Sequence, residues 1–168
     1  MRRTSIAKGL VFAVALAISA SASDGNNEKV FSSTVIGSTP GQVVGGVNAA
    51  GAPWVLREGR ATISSSGRLR VRVEGLVLAA SVPGAGGTTA GIPELAASVV
   101  CGGSGGAVVA TTAGFPYSAA GDAEIEGKVS LPAPCIAPAV IVRIVRPAGA
   151  PAGPFIALNG LAPSGKHD

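Results

Sequence analysis

Three carboxylates recur at every second position, Asp122, Glu124 and Glu126, in the run GDAEIEGKVSL. On a β-strand, residues two apart project from one face about 6 to 7 Å apart. That is near the lower limit of separation for the acid and base of an inverting glycosidase, and it is also compatible with calcium ligation by oxygen donors. Three arginines repeat the spacing elsewhere, Arg68, Arg70 and Arg72 in GRLRVRVEG, and guanidinium forks suit phosphate and other polyanions. Both patterns have an ordinary explanation, because alternating charge on an exposed strand face is common solubility patterning. One Trp, one Tyr and four Phe also leave little aromatic surface for a sugar ring to stack on. The natural partners of the arginine row are the acids of the same chain. The two runs are therefore expected to be neighbouring strands whose opposite charges face each other, and no residue is assigned a catalytic, cofactor-binding or metal-ligating role.

Other chemistry-bearing residues are sparse. His167 is the only histidine and sits in the terminal Ser-Gly-Lys-His-Asp tail, whereas a Ser-His-Asp hydrolase needs its imidazole held inside a packed site. The glycine clusters Gly84–Gly87 and Gly102–Gly106 lack the Lys-Ser/Thr and following helix of a phosphate-binding loop, so they read as flexible loops. Cys101 and Cys135 are the only cysteines. In an exported chain they are expected to form one disulfide, and closing a loop of about 35 residues would stabilise the fold by roughly 3 to 4 kcal/mol. A metal-binding pair would need further Cys or His nearby, and none is present.

The elements that must position these rows follow from the period of the apolar residues. In GRATISSSGRLRVRVEGLVL, from Gly59 to Leu78, two alternating runs flank a Ser-Ser-Ser-Gly cluster, which predicts a β-hairpin. Leu69, Val71 and Val73 fall on one face and the arginines on the other. Leu76 and Leu78 have the opposite parity, so either a bulge at Gly75 shifts the phase or the strand end is buried on both faces. In Asp122–Leu131, Ala123, Ile125, Val129 and Leu131 point inward. Further strands are expected over Thr34–Ile36 and Gln42–Val47, as a first edge hairpin, and over Trp54–Leu56, Leu95–Cys101, Ala107–Thr112, Val140–Val145 and Phe155–Leu158. Trp54 is expected against the core. Ala79–Ile92 reads as a long surface loop, and Pro132, Pro134 and Pro138 make a rigid, edge-like linker around Cys135.

Composition sets the class. Short Val, Ile and Thr-rich runs punctuated by Gly, Pro and Ser every eight to twelve residues, with only 13% charged residues, exclude long amphipathic helices and favour an antiparallel β architecture. The first 22 residues differ: Arg2, Arg3 and Lys8 precede an apolar run from Leu10 to Ile18, then Ala20-Ser21-Ala22. This is the pattern of a cleaved signal peptide, and the run is well short of the roughly 20 residues of a spanning helix. Removing it takes three of thirteen basic residues and none of nine acidic ones, leaving ten against nine. The basic balance thus belongs mostly to the leader, and net charge gives no support for a nucleic-acid partner. An outer-membrane barrel would call for aromatic girdles.

Taken together, PWVLREGRATISSSGRLRVRVEGLVL, GDAEIEGKVSLPAPCIAPAVIVRI and FIALNG resemble a group of small, secreted, uncharacterised bacterial proteins. The resemblance implies export and an all-β domain, and it implies no activity. The expectation is a signal peptide over residues 1–22, a flexible lead-in over 23–32, a single-domain antiparallel β-sandwich of about seven to nine strands (Ig-like or jelly-roll-like) over 33–162 and a frayed tail over 163–168. Its expected role is that of a non-enzymatic extracellular or cell-surface binding or structural module, without a cofactor, nucleic-acid partner or membrane span after cleavage. Its partner would be extracellular or in the cell wall. The alternative is a carbohydrate-active or calcium-dependent hydrolase using Asp122, Glu124 and Glu126.

Overall fold

A computed structural model of the protein describes residues 28–160. The signal peptide, the start at Ser23, the first part of the lead-in and the tail with His167 lie outside the described residues. The described residues form thirteen strands: β1 (Lys29–Gly37), β2 (Val43–Val44), β3 (Val47–Asn48), β4 (Trp54–Val55), β5 (Glu58–Ser64), β6 (Arg68–Glu74), β7 (Val77–Leu78), β8 (Glu94–Cys101), β9 (Ala107–Thr111), β10 (Phe115–Pro116), β11 (Ala123–Lys128), β12 (Ala139–Val145) and β13 (Phe155–Asn159). A 3₁₀ turn at Gly103–Gly105 lies in the expected glycine loop between β8 and β9. The β5–β6 hairpin forms where the serine cluster predicts it. Ser64 Oγ accepts a hydrogen bond from the Arg68 N–H at 3.1 Å. Gly67 takes φ +77°, and a Cβ there would collide with the Val129 carbonyl oxygen, so both conformation and space require glycine.

Nine strands make one antiparallel sheet in the order β10-β8-β12-β13-β1-β5-β6-β11, with β9 also paired to β8. The sheet curls until β10 at one end meets β11 at the other. Curling brings Ile63, Leu69, Val71 and Ile125 from one half into a common core with Leu95, Val99, Val142 and Ile156 from the other. Each such side chain contributes about 1.5 to 3 kcal/mol by leaving water. Strands β8 and β12 are buried on both faces. Their second face carries Val100 and Ile141, which pack with Phe155 under Val44 of the β2–β3 hairpin. This double burial is why both strands read as nearly continuous apolar runs.

Two expectations are corrected. Thr34–Ile36 does not form an edge hairpin with Gln42–Val47: it belongs to a nine-residue strand in the middle of the sheet. There, Ser32, Ser33 and Thr34 pair with Thr62, Ala61 and Arg60 of β5, and Val35, Ile36 and Gly37 pair with Asn159, Leu158 and Ala157 of β13. Strand β1 also begins at Lys29, inside the stretch 23–32 read as a lead-in. Its polar first half keeps Ser32 and Thr34 in water, so it lacks an apolar signal while its backbone completes a ladder.

The phase change near Gly75 has a specific cause. Strand β6 stops at Glu74, Gly75 turns with φ +62°, and β7 then pairs with β4. The odd-numbered Leu69, Val71 and Val73 and the even-numbered Leu76 and Leu78 are all buried, because the first three belong to β6 while Leu76, in the turn, and Leu78, in β7, follow the break rather than continuing one bulged strand. Cys101, at the end of β8, is joined to Cys135 in the proline-rich linker, with Cα atoms 5.1 Å apart. Hydrogen bonds from Gly102 N–H to the Ile136 carbonyl, 2.7 Å, and from Gly103 N–H to the Ala137 carbonyl, 3.1 Å, hold the same two segments together.

Candidate functional site on the outer sheet face

Strands β6 and β11 are neighbours, as their charge rows predict. The register sets Glu126 opposite Arg70, Glu124 opposite Arg72 and Lys128 opposite Arg68. Arg70 serves both acids: its Nη2 contacts Glu126 Oε1, and its Nε lies 3.7 Å from Glu124 Oε1 on the diagonal. Arg72 turns along its own strand to Glu74, 2.7 Å, which Arg57 also reaches at 3.3 Å. Arg70, Glu124 and Glu126 side chains are 51%, 59% and 38% exposed, so each pair contributes no more than about 1 kcal/mol.

Asp122 does not join the row. Its Oδ1 accepts the Gly75 N–H at 2.8 Å, while its own N–H donates to Ser118 Oγ at 3.0 Å. It therefore ties the turn after β6 to the turn before β11. Arg68 faces Lys128 across the strands, and Arg60 of β5 faces Arg72. Glu58 of β5 likewise faces Glu74, so three like-charged oppositions lie around the Arg70 cluster.

Chemically, the face is two carboxylates sharing one guanidinium in water. A glycosidase pair needs one carboxyl sheltered and the other open, and here both stand on the wet side of the sheet. Among the described residues no three His, Cys, Asp or Glu side chains group together as metal ligands.

Two polar residues without a sequence signal for a role are structurally committed. Tyr117, the only tyrosine, is buried, and its hydroxyl donates to the Leu76 carbonyl. Burial, and secondarily the Asp122 charge, raises its ionisation well above the ordinary phenol value. The sole hint in the sequence was an aromatic ring inside a Pro- and Ser-containing turn. Arg143 was visible as the one charge in the β12 run. Its guanidinium donates from Nε to the Gly153 carbonyl at 2.7 Å, from Nη2 to the Ala152 carbonyl and from Nη1 to Ser98 Oγ at 3.4 Å. Burial lowers its pKa. It anchors the loop ahead of β13.

No family model, curated protein or solved structure matches this chain.

Proposed function

We propose that the protein is a secreted, non-enzymatic β-sandwich module that binds a partner or serves a structural role outside the cell; its resemblance to small secreted bacterial proteins supports export and an all-β domain. The observation that carries this reading is the engagement of both Glu124 and Glu126 by Arg70 on an exposed face. The carboxylates best suited to chemistry are thereby both held by one guanidinium in water. The two-layer description draws on β1, which pairs with β5 through its first half and β13 through its second. One layer is then β11, β6, β5 and the start of β1; the other is the end of β1 with β13, β12, β8, β9 and β10. A disulfide-bonded all-β domain, in which no helix of the described residues is long and apolar enough to cross a membrane, is compatible with export.

The test joins compartment to activity. N-terminal sequencing of the secreted protein should begin at Ser23; a start at Met1 with the chain held in the membrane overturns export. The purified protein and its Glu124→Gln/Glu126→Gln variant, screened against glycan and ester substrates with and without calcium, should both show no turnover. An activity present in the parent and lost in the variant would establish the hydrolase instead.

A further inference from the structure

A pocket of about 530 Å³ opens between segments far apart in sequence, with walls that include Trp54, Leu78, Ile92, Ile144 and Pro154. Its volume is in the range of about 300 to 1,000 Å³ that small molecules occupy. One charged side chain lines it, Arg146, and no carboxylate does. Ile144 is the last-but-one residue of β12, and Arg146 lies two positions further on, just past the strand end. The guanidinium is held by a hydrogen bond from Nη2 to the Ala90 carbonyl. Ala90 is in the left-handed region, φ +51°, a conformation that costs energy for a residue with a Cβ. Its N–H donates to Thr88 Oγ1 at 3.3 Å. The loop therefore uses a strained residue to hold a cation beside an apolar wall, and no carboxylate neutralises that cation among the described residues. The wall also contains the one buried side-chain polar atom among the described residues that lacks a partner, Trp54 Nε1.

We propose that this pocket binds a small amphiphilic carboxylate, with its alkyl or aryl body against Trp54, Leu78, Ile92 and Ile144 and its carboxylate on Arg146. A fork-shaped donor set recognises a carboxylate better than a neutral polar head, and apolar walls favour a hydrocarbon body. The inference goes beyond the module reading and does not depend on it, since Glu124 and Glu126 take no part in the pocket.

The chain has one Trp, so its emission reports the surfaces that Trp54 lines, this pocket and the groove beside Gly37 and Arg57. Decanoate, titrated below its micelle concentration, should change Trp54 emission saturably and shift the indole N–H resonance in a ¹H–¹⁵N spectrum. Decanol, with the same body and no charge, should bind at least tenfold more weakly. Arg146→Gln should remove that preference, while Arg68→Gln, at an exposed arginine away from Trp54, should keep it. The proposal is overturned if decanoate leaves both Trp54 signals unchanged, if decanol binds as well, or if the Arg146 and Arg68 variants behave alike.

Discussion

Arg68 and Lys128 face each other directly across β6 and β11, while one position pair along the ladder Arg70 meets Glu126. Like charges in such positions are unfavourable and opposite charges favourable by about 0.2 to 1 kcal/mol. Lys128→Glu should therefore raise the urea midpoint, with a gain that shrinks in high salt. An Arg70/Glu126 double-mutant cycle should give a favourable coupling of about 0.2 to 1 kcal/mol at low salt. A coupling of zero would mean that the pair is held by the ladder alone. Tyr117 offers a larger effect, because Tyr117→Phe leaves the Leu76 carbonyl without its partner and should cost about 1 to 3 kcal/mol. Its ionisation is raised in the folded chain. The stability it contributes is thus fully present below the unfolded phenol value of about 10 and is lost as pH rises above it. With only one tyrosine, phenolate absorbance should appear together with alkaline unfolding, not before it.

Two glycines that end or turn strands are expected to differ in what they tolerate. Gly67 and Gly75 both have positive φ, but a Cβ on Gly67 meets the Val129 carbonyl, whereas one on Gly75 lies 3.4 Å from Arg57 Cβ. Gly75→Ala should cost about 1 to 2 kcal/mol, the left-handed penalty alone. Gly67→Ala should cost clearly more, since the turn must move against the β11 end. Equal urea midpoints for the two variants would contradict the close approach. The faces of β5, β6 and β11 alternate because one side is wet, and that periodicity is local. Strand β1 is mostly polar in its first half, and its place between β5 and β13 depends on backbone pairing with strands whose positions no local pattern reveals.

At the level of the whole molecule, the disulfide fastens the end of β8 to a linker that makes no strand of its own. Cys101→Ser/Cys135→Ser should lower stability by roughly 3 to 4 kcal/mol, read from urea unfolding of both forms. Intact mass of the parent should rise by two hydrogens on reduction. A double-serine variant as stable as the parent would mean that the proline linker is held by its hydrogen bonds to Gly102 and Gly103 instead. The doubly buried β8 and β12 give a complementary reason for robustness, because they remain covered on one face even if the β2–β3 hairpin lifts.

The all-β class, the hairpin and its inward Leu69, Val71 and Val73, the partnership of the arginine and acid rows and the pairing of the only two cysteines are legible in the amino-acid order alone. These rest on period, turn chemistry and complementarity between short segments, which a chain carries locally. Tertiary structure decided that Asp122 leaves the acid row to accept from Gly75, 47 positions away, and that Tyr117 donates to Leu76, 41 positions away. It also decided that Arg146 meets Ala90 across 56 positions beside Trp54. Those contacts arise only when a curled sheet and its loops bring distant residues together, since a polar group leaving water must find its partner wherever the fold has placed one.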